Sequence, residues 1–133
     1  MVVNPNKLGF ENLSSNIETA LTAAKSQAER IRESYKNVQK LDQQKTTLNQ
    51  YLDFIKADQT SRPILLHALG VQTLADANDI VNKCNKEYDQ VVDIHNNQIT
   101  KLVKYCNKYI EDKEYGKAFQ GIIDSIKSLN IER

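Results

Sequence analysis

Apolar residues first fall into step at Ile17, Leu21, Ala24, Ala28, Ile31, Tyr35 and Val38, at alternating intervals of four and three. Such a rhythm turns one face of an α-helix toward another helix. After Val38 one step is missing: the stripe resumes as Leu41, Leu48, Leu52 and Ile55, with Lys45 inside it. A skip of this kind overwinds a supercoil locally. Ser15 and Glu18 have the spacing of a capping box, while Asn4 before Pro5 offers an earlier start with proline in the first turn. The pattern predicts a long helix over about 10–57.

The polar run from Asp58 to Pro63 then interrupts it, because proline fits only the first turn of a new helix. Ile64, Leu65, Leu66, Ala68 and Leu69 predict a short tip helix over about 62–69, ended by Gly70. Thr73 with Asp76 opens a second long segment, whose stripe is Leu74, Ala77, Val81, Cys84, Tyr88, Val91, His95, Ile99, Leu102, Cys106 and Tyr109. Tyr88, Ile99 and Ile110 recur at the natural period of a straight helix, so this segment, expected over about 73–111, requires no left-handed supercoil. Beyond Asp112-Lys113-Glu114, the residues Tyr115, Phe119, Ile122, Ile126 and Leu129, with Ile123 beside them, predict a last helix over about 115–129. Glu114-Tyr115-Gly116-Lys117-Ala118 is similar to the opening of a tetratricopeptide helix, but no period of about 34 residues recurs, which implies a single helix-turn-helix corner.

No period-two strand interrupts these stripes. The expected fold is therefore all-α: one domain, a long antiparallel helical hairpin turning at the tip helix, with the C-terminal helix folding back to make a three- to four-helix bundle. In such a hairpin, positions whose numbers sum to about 130 face each other. A short last helix covers only one end. Leu41, Leu48, Leu52, Ile55, Leu74, Val81 and Tyr88 are then left half exposed as an interaction stripe, which motivates a homodimer or another helical protein as partner.

Composition agrees with this class. The 133 residues include only four Gly, two Pro and no Trp, as expected where long helices leave little chain for turns. Lys and Arg outnumber Asp and Glu by one, and mean hydropathy is -0.58, so no overall field draws the chain to nucleic acid or an anionic membrane. No run approaches the roughly 18 apolar residues of a membrane span. Met1 to Lys7 has no basic region followed by an apolar core, and the expected setting is the cytoplasm, or the virion if the chain is viral.

A search for chemistry returns little. There is no glycine-rich phosphate loop, no Gly-x-Ser-x-Gly elbow and no Cys-x-x-Cys pair, so a non-enzymatic module without metal or cofactor is expected. Cys84, His95 and Cys106 share one helix face, but steps of eleven residues place them about 16 Å apart, too far for one metal ion. Two core thiols and an imidazole at the edge of the core are the ordinary reading. Acidic pairs such as Asp42 with Asp53 and Asp76 with Asp79 suit a solvated face.

Two motifs point to alternatives. His67-Ala68-Leu69-Gly70 resembles the His-x-Leu-Lys-Gly motif of histidine-phosphotransfer domains, without its lysine; the resemblance implies phosphate carried on His67, against an ordinary histidine packed beside Leu66. Lys25, Arg30, Lys101, Lys104 and Lys108 form a basic patch at mid-arm, with Tyr35, Tyr105 and Tyr109 nearby as stacking surfaces. That patch suits a virion or nucleic-acid-associated subunit. Glu29, Glu33, Glu111 and Asp112 dilute it, so the expected binding to nucleic acid is weak and salt-sensitive. The secreted helical hairpins of the type VII pathway are similar in outline, but their Trp-x-Gly turn is missing.

Overall fold

Spacings of three and four produce helix throughout. A computed structural model describes residues 10–132, with side chains over 16–132. Among them are four helices and no strand: α1 (Phe10–Ala57), α2 (Arg62–Ala68), α3 (Leu74–Asn107) and α4 (Gly116–Lys127). The fold is all-α. No helix of the described residues is long and apolar enough to cross a membrane.

The helix ends follow local chemistry. The start suggested by Asn4 and Pro5 lies outside the described residues. Ser15 stands within α1 rather than at its start, and Glu18 is used elsewhere, accepting a hydrogen bond from the Tyr115 hydroxyl at 2.8 Å. At the other end of α1, Arg62 donates from Nε to the Ile55 carbonyl at 2.8 Å and from Nη2 to the Lys56 carbonyl at 3.0 Å. A guanidinium there satisfies two orphan carbonyls and complements the negative end of the helix dipole. Pro63 sits in the first turn of α2. Gly70, at φ +78°, ends α2: its N–H bonds the His67 carbonyl, and the Val71 N–H bonds the Leu66 carbonyl. This is the Schellman arrangement, which needs the left-handed backbone that glycine adopts without strain. Thr73 Oγ1 then accepts from the Asp76 N–H at 3.1 Å and caps α3.

α3 stops at Asn107, short of Glu111, and α4 spans less than 115–129. The corner between them explains both. Lys108 and Tyr109 donate to the carbonyls three residues back, tightening the chain out of the α-helix. Asp112 Oδ2 accepts from the N–H groups of Glu114 and Tyr115. Gly116 is so close to the Ile110 carbonyl that a Cβ there would collide with it. This approach lets the Tyr109 ring stack on Phe119 at 4.8 Å between centroids.

Within the chain, packing divides into two compact units. The first takes the chain through Tyr35 together with His95 onward; the second is Lys36–Ile94. The first division falls close to the skip in the α1 stripe.

The first unit is built from the early part of α1, the late part of α3, and α4. Ala24, Ala28 and Ile31 of α1 meet Ile99, Leu102 and Cys106 of α3, and Phe119, Ile122, Ile123 and Ile126 close the core from α4. Alanines on α1 let the other helices approach closely, so that large α4 side chains fill the space. Ser34 meets His95, while Ala24 and Leu102 line one groove, so α1 and α3 run antiparallel here.

The second unit comprises the late part of α1, α2 and the early part of α3. Leu52, Ile55, Leu66, Ala77 and Val81 form its core cluster, with Leu48, Tyr51, Leu65, Leu69, Val71 and Leu74 packed partly buried against it. The Tyr51 hydroxyl donates to the Leu65 carbonyl at 3.0 Å and ties α2 to α1. Lys45 faces Tyr88 and Asn49 faces Asn85, so α1 and α3 are antiparallel in this unit as well.

Candidate interaction surfaces

The predicted stripe falls in the second unit and is largely interior. Leu52 is 6% exposed and Ile55 0%, and Val81 and Tyr88 are also buried. Half exposure, expected of all these side chains, holds for Leu41, Leu48 and Leu74. The heptad rhythm was consumed within the chain: α2 and α3 cover what a second copy was expected to cover.

The polar breaks in the stripe have partners too. The Lys45 ammonium lies 4.2 Å from the centroid of the Tyr88 ring, a cation–π contact that accounts for a lysine among leucines. Asn49 Nδ2 donates to Asn85 Oδ1 at 2.9 Å and to the Lys45 carbonyl at 2.7 Å. Apolar surface appears instead at positions outside the stripe. The large exposed hydrophobics of the described residues are Phe54 at 65%, Ile64 at 74% and Ile94 at 60%, and all three belong to the second unit.

The five residues of the predicted basic patch all belong to the first unit and are all exposed. They do not form one cluster. Lys101 and Lys104 stand on α3, and Lys108 follows just past its end, at spacings of three and four in the sequence. Between α1 and α3 lies a cavity of about 390 Å³, floored by Ala23, Ala24 and Leu102 and walled by Gln27, Gln98, Lys101 and Tyr105. Arg30, one turn from Gln27, is on the groove side of α1. Lys25, two residues from Gln27, lies about 160° away around the helix and leaves the patch. The Lys108 ammonium is 5.7 Å from the centroid of the Tyr105 ring. Burial, then the neighbouring Tyr109, pushes the Tyr105 phenol above its ordinary range, so it remains a neutral donor. Gln98 Oε1 is buried with no hydrogen-bond partner in the protein.

His95 is not at the edge of the core but fully buried. Nε2 lies 2.8 Å from the Leu129 carbonyl and therefore donates to it, and Nδ1 lies 2.8 Å from Ser34 Oγ and accepts from that hydroxyl in the neutral tautomer. The adjacent Asn96 brackets Ile131, donating Nδ2 to its carbonyl and accepting at Oδ1 from its N–H. His95 and Asn96 thus strap the segment after α4 onto α3. Sequence reasoning missed this pair; a histidine in an apolar stripe followed by asparagine was the available signal.

His67 is exposed on the seven-residue α2, and its neighbour Leu66 is buried. Cys84 and Cys106 are free and buried, and burial pushes the Cys106 thiol upward, away from the reactive thiolate. Among the described residues no group of three or more His, Cys, Asp and Glu side chains is placed to hold a metal ion. The sequence matches no family model, no curated protein and no solved structure.

Proposed function

We infer that the protein is a non-enzymatic helical interaction module, working in the cytoplasm or as part of a virion, that associates with a second copy of itself through its second unit. The observation that carries this reading is the placement of Phe54, Ile64 and Ile94, the large exposed hydrophobics of the described residues, in that one unit. Full burial of such a side chain contributes about 1.5–3 kcal/mol. A two-fold contact at the tip that covers Phe54 and Ile64 on both copies buries four such side chains, which reaches the scale of the roughly 4–15 kcal/mol that association costs.

The burial of Leu52 changes the test. An aspartate there would unfold the unit whether or not a dimer existed, whereas Phe54→Asp with Ile64→Asp alters exposed positions only. The wild type is expected to be dimeric by light scattering at about tens of micromolar, and the double variant monomeric with unchanged circular dichroism. A monomeric wild type at that concentration overturns the reading.

A further inference from the structure

The groove of the first unit has a different character from the apolar surface of the second. α4 closes one side of the α1–α3 pair. Glu18, which meets Tyr115 at the start of α4, is nine residues from Gln27, two and a half helical turns, so the groove opens on the opposite side of α1. On α3, Asn96 faces the strap after α4, and Gln98, about 160° around the helix, faces the groove. This unit is a three-helix assembly with its fourth side open.

The electrostatics of that side are one-signed. Between Asp93 and Glu111, the chain carries Lys101 and Lys104 on α3, Lys108 just past its end, and no carboxylate; between Glu18 and Glu29, α1 carries none either. The acidic residues that dilute the basic patch in the sequence are not among the residues that line the groove. Its floor is of small side chains, Ala23 and Ala24 beside Leu102. Small residues allow a helix backbone to come close, and three lysines at helical spacing match carboxylates set three and four apart on an incoming helix.

We propose that this groove docks an acidic amphipathic helix of a partner protein, which completes a four-helix bundle with α1, α3 and α4. The occupant seats a small apolar seam over Ala23 and Ala24 and presents Glu or Asp side chains to Lys101, Lys104 and Lys108. Rotation of the Gln98 amide toward the groove gives its unpartnered oxygen a donor on the incoming helix. An extended phosphate backbone meets the lysines but leaves the alanine floor uncovered, which favours the helix.

The test uses the full chain and three fluorescein-labelled probes: a helical peptide of about 20 residues with an alanine–leucine seam flanked by Glu at spacings of three and four, its Glu→Gln counterpart, and a single-stranded oligonucleotide. Anisotropy is expected to rise with the Glu peptide and not with the Gln peptide. Lys101→Glu with Lys108→Glu should weaken binding on the order of tenfold. Ala23→Trp, at an exposed position, should block it while circular dichroism stays unchanged. No binding of the Glu peptide at millimolar concentration overturns the proposal, as does binding that both substitutions leave intact. Binding of the oligonucleotide alone assigns the groove to nucleic acid, and loss of a wild-type dimer in Ala23→Trp assigns it to a second copy; either result also overturns it.

Discussion

The two units solve the same packing problem differently. In the first, small α1 side chains admit a third helix, and Phe119, Ile122, Ile123 and Ile126 fill the space with hydrocarbon. In the second, α1 and α3 meet partly through polar contacts, Lys45 on Tyr88 and Asn49 on Asn85, set along the chain between the apolar cluster at α2 and the buried Val38 and Val92. A core closed by large apolar side chains gains stability, whereas polar pairs in a seam gain register at some cost in stability. The contrast extends to the surface: exposed large hydrophobics lie on the second unit, and the acid-free basic groove on the first.

The largest expected effect comes from removing the third helix's anchor. Phe119 is fully buried, so Phe119→Ala should destabilise the first unit by about 3–5 kcal/mol. Denaturant melts combined with residue-resolved hydrogen exchange measure this. Protection should fall first in α4 and in the Ile99 to Cys106 stretch, while the Leu52 and Val81 amides keep theirs. Equal loss in both units would mean that they unfold as one, and the comparison would break.

Next in size is the strap. His95→Phe retains the volume of a ring but leaves Ser34 Oγ and the Leu129 carbonyl without their partner, an expected loss of about 1–3 kcal/mol. Exchange at Ile131 should quicken even though Asn96 is intact, because the Leu129 anchor precedes it in the chain. An Ile131 amide as protected as in wild type would show that Asn96 alone holds the segment.

In the second unit the matching experiment is Asn85→Leu, which deprives Asn49 of one of its two hydrogen bonds and should cost about 1 kcal/mol. Adding Asn49→Leu should recover that loss, since replacing both members of a polar pair with apolar groups is nearly neutral. A thermodynamic cycle over the four proteins gives the coupling. If the double variant is the least stable of the four, the seam contributes stability rather than register.

Particular residues show what could be read in advance. The end of α1, the proline-led tip helix, the Gly70 stop and the Thr73 cap were legible because each depends on a few neighbouring residues. The role of Arg62 in capping α1 was hidden, because it acts across a corner that no periodicity describes. Gly116 was equally opaque: its requirement comes from the Ile110 carbonyl, not from its own turn. The stripe at Leu52 and Ile55 was recognised correctly as apolar, but a heptad rhythm does not say whether its partner lies in the same chain. For the groove, the carboxylate-free interval from Asp93 to Glu111 was visible in the sequence, whereas its pairing with Ala23 and Ala24 needed the helix register.

The smallest effects concern pH, and they should separate the units most cleanly. In the second unit, Asp58 accepts from the Ser61 hydroxyl and from the Ser61 and Thr60 N–H groups; with Arg62 nearby, these contacts hold its carboxyl below the ordinary value of 3.8. A group whose folded pKa is depressed contributes stability that is present above the unfolded value and is lost as pH falls through the folded one. In the first unit the Tyr115 hydroxyl donates to Glu18, and that bond, with burial, pushes the phenol up from 10.0 to about 12. A raised pKa works in reverse: its contribution is complete below 10.0 and is lost as pH rises toward about 12. Acid should therefore loosen the Asp58 contacts at the corner before α2, and base the Tyr115 contact at the start of α4. Asp58 is exposed and Tyr115 only partly buried, so the readout is local: the Thr60 and Ser61 amide shifts below pH 3.8, and the Tyr115 ring shifts above pH 10.0, followed by NMR. Asp58→Asn should abolish the first transition and Tyr115→Phe the second, each without moving the other. A single substitution that shifts both transitions would show that the two corners titrate as one system.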